Sequence, residues 1–276
     1  MLFRSGTKVL IIGAGLIGLK CAEALHHLNA DITVVDLADR ILPSILDVRA
    51  GEIMQKHIED KGTKFILGTS VEQFSKNSAK LTNGETVDFD ILVIAVGVRP
   101  NTELVSDAGG KVEKGIITDL HQQTTIDNVY AAGDCTVSHD CSSNTDRILA
   151  LLPNAFMQGE VAGKNMAGEE TLYLNAIPMN AIGFYGLHII TAGSYDGDED
   201  ITEDADKEIY KKLVFKDGLL KGFILMGDVA RAGIYTSMIK EQIPLTEVDL
   251  DLLRDKPQMM MFGKARREEK LAGKKH

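Results

Sequence analysis

The chain has 276 residues, enough for two or three domains, and its net charge of −10 excludes the basic footprint of a nucleic-acid-binding protein. Its apolar residues, 44% of the total, never gather into the run of about 18 that a membrane span needs. Three cysteines are too few for a disulfide framework, so a soluble, cytoplasmic protein kept reduced is expected.

Met1 to Thr7 carries no assignable element, and the first apolar run after it reads as a strand rather than a secretion signal. Val9 to Ile12 is apolar and mostly β-branched, the pattern of a strand buried on both faces of a parallel sheet. Gly13, Gly15 and Gly18 follow in Gly-x-Gly-x-x-Gly spacing. Ile17, Cys21, Ala24, Leu25 and Leu28 then recur at helical spacing, which predicts an amphipathic helix with Cys21 as inert core. The first glycine permits a tight turn, the second lets a pyrophosphate reach the backbone, and the third lets helix and strand pack closely. Ile32 to Val35 is the next strand, and Asp36 ends it. A carboxylate there accepts from a ribose 2′-OH and repels a 2′-phosphate, so the site is expected to prefer NAD(H). The competing reading, turn glycines of some other α/β protein, has only the glycines in its favour.

In the loop Leu37 to Ser44, Arg40 either stacks on or neutralises part of the cofactor, or only faces solvent. Asp47 to Lys61 is a predicted helix with Ile53, Met54, His57 and Ile58 on one face, and His57 is expected to pack rather than react. Lys64 to Leu67 is a third parallel strand. Short alternating strands follow at Val71–Phe74, Ala79–Thr82 and Thr86–Phe89, with Asn83-Gly84 as a two-residue hairpin turn. The apolar strand Ile91 to Val96 ends at Gly97.

This order of parts, with the segment Ala95-Val96-Gly97-Val98-Arg99-Pro100-Asn101, resembles the NAD domain of the pyridine nucleotide-disulfide oxidoreductase superfamily, which is inserted in an FAD domain. The resemblance implies that Gly97 lets the backbone lie against the nicotinamide end of the cofactor. Beyond a short helix at Thr102–Ala108 and a strand at Gly115–Asp119, Thr124 to Cys135 resembles the superfamily's second FAD motif. By that likeness Asp134 hydrogen-bonds a ribityl hydroxyl of FAD and Gly133 makes room. Leu151 to Gly168 reads as a helix, and the resemblance implies that its N-terminus points at the flavin, with Pro153 and Asn154 as flavin neighbours; plain helix-start chemistry explains the two equally well.

From Thr171, strands are predicted at Ile177–Gly183, Leu187–Gly193, Glu208–Phe215 and Leu219–Met226, with a turn at Lys216-Asp217-Gly218 and a helix at Asp228–Lys240. This part resembles the C-terminal domain of NADH:rubredoxin reductases and of nitrite reductase large subunits. Packing is the expected role of Phe184 and Tyr185, with flavin contact as the alternative. Asp196 to Asp200 lacks the later Gly and Glu of a calcium loop and is expected to be a solvated acidic loop. The tail from Phe262, with Lys264, Arg266, Arg267, Lys270, Lys274 and Lys275, is expected to be disordered or a loose helix.

The expected architecture is α/β: a Rossmann-like NAD(H)-binding domain at 1–97, part of an FAD-binding domain at 98–170, a small α+β domain at 171–258 and a basic tail at 259–276. The implied cofactors are FAD and NAD(H), with hydride passing from NADH to flavin and electrons onward. The acceptor is a small redox protein, such as rubredoxin or an iron–sulfur protein, a nitrite-reductase-type centre, or a small molecule. No catalytic side chain and no metal are required. The superfamily's first FAD fingerprint is not among these residues, so a fragment, or one subunit whose FAD segment is separate, is expected; a homo-oligomer is also compatible. A flavin-less NAD(H)-binding module and a disulfide or coenzyme A-disulfide reductase with its cysteine upstream are the alternatives. Cys135 and Cys141 lack the spacing of that family's redox pair.

Overall fold

The first apolar run becomes strand β1 (Lys8–Ile12) in the computed structural model, which describes residues 4–272. Residues 1–3 of the unassigned start, and Lys274 and Lys275 of the basic tail, lie outside the described residues. The chain divides into two compact units. One runs to Val98 and includes Ile182–Ile189 and Asp206–Glu208, and the other holds Arg99–Ala181, Ile190–Ala205 and the chain from Ile209.

In the first unit β1 leads to helix α1 (Leu16–His26), strand β2 (Asp31–Val35), helix α2 (Val48–Glu59) and strand β3 (Lys64–Ile66). Strands β4 (Val71–Phe74), β5 (Ser78–Leu81), β6 (Thr86–Asp88) and β7 (Ile91–Ile94) follow. A parallel sheet forms in the order β3-β2-β1-β7. Central β1 buries Val9, Leu10 and Ile11, as its unbroken apolar run requires. β7 is equally apolar but lies at the sheet edge, leaving Ile94 61% exposed. The antiparallel meander β4-β5-β6 brings Ala79 and Leu81 against Leu10 and Val35.

The apolar face expected of α1 is its outer face. Gly18, Leu19 and Ala22 are buried, whereas Ile17 is 61% exposed and Cys21 only half-buried. Small residues take the sheet side because the helix must lie close on β1, and a spacing of 3.6 cannot tell which apolar stripe that is. Cys21 is therefore not core; it lines a shallow apolar hollow with Ile17 and Ala24. α2 starts where a cap requires: Asp47 accepts from the Ala50 N–H at 2.9 Å. His57 does pack, with Nδ1 2.9 Å from Glu208 Oε1 and Nε2 3.2 Å from the Tyr185 carbonyl. The Asn83-Gly84 turn has a three-residue loop instead of two: Gly84 alone has positive φ, and its N–H returns to the Leu81 carbonyl. At Asp217-Gly218 both residues have positive φ, and the loop is the two-residue kind.

The second unit begins with helix α3 (Glu103–Asp107), strands β8 (Ile116–Ile117), β9 (Thr136–Asp140) and β10 (Thr145–Ile148), and helix α4 (Leu152–Met166). β9 pairs with β8 in parallel and with β10 antiparallel. A five-stranded sheet follows in the order β11 (Met179–Phe184), β12 (Leu187–Gly193), β15 (Leu219–Met226), β14 (Ile209–Lys216), β13 (Asp198–Asp204). β13 takes up Asp198 to Asp200 of the expected acidic loop, and only Asp196 and Gly197 stay outside a strand. All seven residues of β13 pair with β14, and Glu199 lies 2.5 Å from Lys212 across the pair, so cross-strand charge tolerates an acidic edge strand. Helix α5 (Ala232–Lys240) starts four residues later than expected, after Arg231 in a left-handed turn. It packs Tyr235 and Met238 onto Phe223 and Leu213. Helices α6 (Leu250–Asp255) and α7 (Lys264–Ala272) complete the described chain. α7 is an ordered helix whose Arg266 and Lys270 are held by Glu247 and Glu241, so much of the tail's positive charge is neutralised.

Candidate functional site

The turn from β1 into α1 closes on itself. Gly13 has φ +112°, its N–H donates to the Val35 carbonyl at 2.8 Å, and a Cβ there would strike the carbonyl oxygen of Ala95. A Cβ on Gly18 would strike the Gly13 carbonyl. Gly15 is different: it is the N-cap of α1 and nothing lies within 4 Å of the position a Cβ would take. Two glycines thus hold the turn shut, and the third leaves backbone bare at a helix start. That is the arrangement an anion needs to reach the free N–H groups.

Asp36 ends β2 beside this turn. Its Oδ2 accepts from the Ala14 N–H at 2.6 Å and its Oδ1 from the Ala38 N–H at 2.7 Å. The carboxylate is therefore a clamp on the glycine turn, and each oxygen retains a lone pair for a further donor. Gly13, Gly15, Asp36 and Gly97 line one cleft of about 590 Å³, with Pro43 and Ser70 on its wall. Gly97 has φ +95° and open space about its Cα. Arg40 is not among the lining residues; its guanidinium pairs with Asp39 at 3.2 Å and its stem lies beside Gly51. Neither Pro43 nor Ser70 carried a sequence signal, since each enters the cleft only through the path of its loop. The residues present fit a dinucleotide: a bare helix start for the pyrophosphate, an acid for a ribose and a bare glycine farther along.

In the second unit Gly133 has φ +89°, and Asp134 is exposed immediately after it. Pro153 sits exposed in the first turn of α4, where its missing N–H costs nothing. The Asn154 side chain is fully buried and occupied: Nδ2 donates to the Ile177 carbonyl at 3.0 Å, and Oδ1 accepts from the Tyr173 hydroxyl at 2.8 Å. Only its backbone N–H is left to face a ligand. Gln158, one turn on and 1% exposed, holds the Gly133 turn through its side chain. Sequence reasoning passed over it; the available signal was two amides four residues apart on a face otherwise made of small residues. Phe184 is wholly buried beneath Lys20 and the Tyr185 hydroxyl lies 3.2 Å from Thr63, so both serve packing.

Burial, and then the charge of Asp140, pushes the Cys141 thiol above its ordinary value. Cys21 and Cys135 are partly exposed. Iodoacetamide at neutral pH should therefore modify Cys21 and Cys135 well before Cys141, as peptide mass spectrometry over time would show. Equal rates at all three would mean the second unit opens around β9. Among the described residues no cluster of three His, Cys, Asp or Glu is placed to hold a metal ion. No described helix is long and apolar enough to cross a membrane.

The sequence matches the family described as pyridine nucleotide-disulphide oxidoreductase over residues 3–159, and the rubredoxin NAD+ reductase C-terminal domain over residues 178–243. It is 32% identical over 250 residues to the epsilon subunit of an NADH-dependent phenylglyoxylate dehydrogenase from Aromatoleum evansii, covering 87% of this chain and 59% of that one. It is 30% identical over 258 residues to a rubredoxin-NAD(+) reductase from Acinetobacter baylyi, covering 91% and 62%. Among solved structures, an engineered water-forming NADPH oxidase bound to NADPH superposes with a TM-score of 0.80 at 22% identity, covering 88% of this chain and 60% of that one. The chain thus spans about three-fifths of the length of these relatives.

Proposed function

The chain belongs to the pyridine nucleotide-disulphide oxidoreductase family, and from that premise we propose that it carries the NADH site and part of the flavin site of an FAD-dependent NADH oxidoreductase. In this reading it is a fragment or one subunit of a split enzyme, and its electrons go to a small redox protein or a nitrite-reductase-type centre. Residues 1–97 hold NADH, 98–170 contribute to FAD, and 171–258 form the C-terminal domain. The observation that carries the reading is the cleft in which the bare backbone of Gly15 and the Asp36 carboxylate meet.

Bound together, the nicotinamide and the flavin supply the hydride chemistry. This chain's residues bind and orient. The N–H groups at the start of α1 hold the pyrophosphate, the free lone pairs of Asp36 take ribose hydroxyls, and Gly97 leaves its backbone open to the nicotinamide end. Gly133 and Asp134 serve the ribityl chain, and the first turn of α4 lends the Asn154 N–H to the flavin ring, with Pro153, which has no N–H, setting the helix start beside it. Arg40, tied to Asp39, stays at the margin of the NADH site.

The preference for NADH has independent support. The engineered NADPH oxidase was derived from a water-forming NADH oxidase of Lactobacillus brevis by changing a glycine, an aspartate eighteen positions later, the next two residues and a proline seven past the aspartate. The same three residue types stand here at the same spacing, as Gly18, Asp36 and Pro43. Titration with NADH and NADPH tests the reading. Asp36→Ala should weaken NADH binding by about 1–3 kcal/mol and leave NADPH no weaker than before. An unchanged dissociation constant for NADH would remove Asp36 from the site.

A further inference from the structure

Gln158 reaches from α4 into the turn that presents Asp134, and all of its polar atoms are engaged there. Its Oε1 accepts from the Gly133 N–H at 2.6 Å and lies 3.3 Å from the Thr136 hydroxyl, while its Nε2 donates to the Ser138 hydroxyl at 2.5 Å. Thr136 completes the turn by donating its hydroxyl to the Gly133 carbonyl at 2.8 Å. The amide can sit only one way round, because the flipped form would set an N–H donor against the Gly133 N–H. With 1% exposure, no water replaces it.

The turn depends on that contact. Gly133 has a left-handed φ of +89°, and its N–H points inward at the Gln158 oxygen. The chain then emerges at Asp134, which is exposed and whose carboxylate is fixed by no hydrogen bond among the described residues. Whatever aims Asp134 must therefore act through the backbone just before it. Gln158 is placed to do so from both sides, through Gly133 ahead of Asp134 and Ser138 behind it.

We infer that Gln158 is a positioning residue for the flavin, holding the Gly133-Asp134 turn in the one shape that offers the Asp134 carboxylate to a ribityl hydroxyl. The inference rests on the flavin reading of Asp134. It explains why Gln158 joins Asn154, Val161 and Ala162 on the buried face of α4: the Gly133 N–H needs an acceptor, and α4 supplies it.

The test uses the whole chain, FAD as probe, quenching of flavin fluorescence for binding, and amide hydrogen exchange at Gly133. Gln158→Met keeps the length and removes both polar atoms; Gln158→Glu keeps the acceptor. Asp134→Ala reports on the flavin reading itself. The expected result is about tenfold weaker FAD binding and about tenfold faster Gly133 exchange in Gln158→Met, with both nearly restored in Gln158→Glu and NADH affinity the same throughout. Asp134→Ala should lose FAD with Gly133 exchange unchanged. If Asp134→Ala weakens FAD but Gln158→Met moves neither readout, the positioning role is overturned and the flavin reading stands. If Asp134→Ala binds FAD normally, the flavin reading falls and this inference with it; if no form of the chain binds FAD, unchanged Gly133 exchange in Gln158→Met overturns the positioning role. Should Gln158→Met fail to fold, Ser138→Ala releases Nε2 alone and should give smaller shifts in the same direction; no shift there would overturn the role.

Discussion

Gly13→Ala should cost about 3 kcal/mol of stability and abolish NADH binding, whereas Gly15→Ala should fold normally and lose only affinity. The two glycines lie two residues apart in one turn, yet their backbones are constrained in opposite ways. At Gly13 a side chain meets two obstacles, a φ of +112° and the carbonyl of Ala95 at the end of β7. Relief would require β1 and β7 to separate, and these strands are hydrogen-bonded neighbours at the cleft. At Gly15 φ is −84° and the surroundings are open, so alanine is accommodated and its methyl group projects where the pyrophosphate must approach. Thermal unfolding and NADH titration on the two variants would separate these effects. Normal stability and binding in Gly13→Ala would mean the turn has room that this geometry denies.

Asn154→Leu should destabilise the chain by about 2–4 kcal/mol, with the loss confined to the second unit. The substitution keeps the branching and the heavy-atom count of the side chain and removes two hydrogen bonds at once, leaving the Ile177 carbonyl and the Tyr173 hydroxyl buried without partners. Burial also pushes the Tyr173 hydroxyl well above its ordinary pKa, so at neutral pH it stays protonated and needs an acceptor. Adding Tyr173→Phe to Asn154→Leu should recover about 1 kcal/mol, because it removes one stranded group. Urea unfolding of the single and double variants would measure this. Strict additivity would show that the two side chains do not interact.

Asn154 also shows where sequence reasoning stops. The helix, its proline-bearing first turn and the small residues along one face follow from spacing, and so does the neighbourhood of a bound flavin by family likeness. That the Asn154 side chain turns inward to tie Tyr173 and Ile177 depends on a segment some twenty residues away folding over α4. Asp36 is a parallel case. Its position at the end of β2 was legible from the pattern of apolar residues before it. Its two bonds to the Ala14 and Ala38 N–H groups, which make it a brace for the turn as well as a ligand, exist only once β1 and β2 are paired.

Local chemistry determined the strand, the glycine turn, the helix after it and the acid that follows, because each is governed by residues within a few positions of itself. The sequence also carries a Gly-Asp pair, Gly133-Asp134, after the predicted strand at Gly115–Asp119. Tertiary structure decided which stripe of α1 is covered and which strand forms the edge of the sheet. It also decided that an acidic run becomes β13 and that Gln158 closes over Gly133. Each of those outcomes is set by a partner distant in the chain, through close packing, cross-strand charge or the need of a buried N–H for an acceptor.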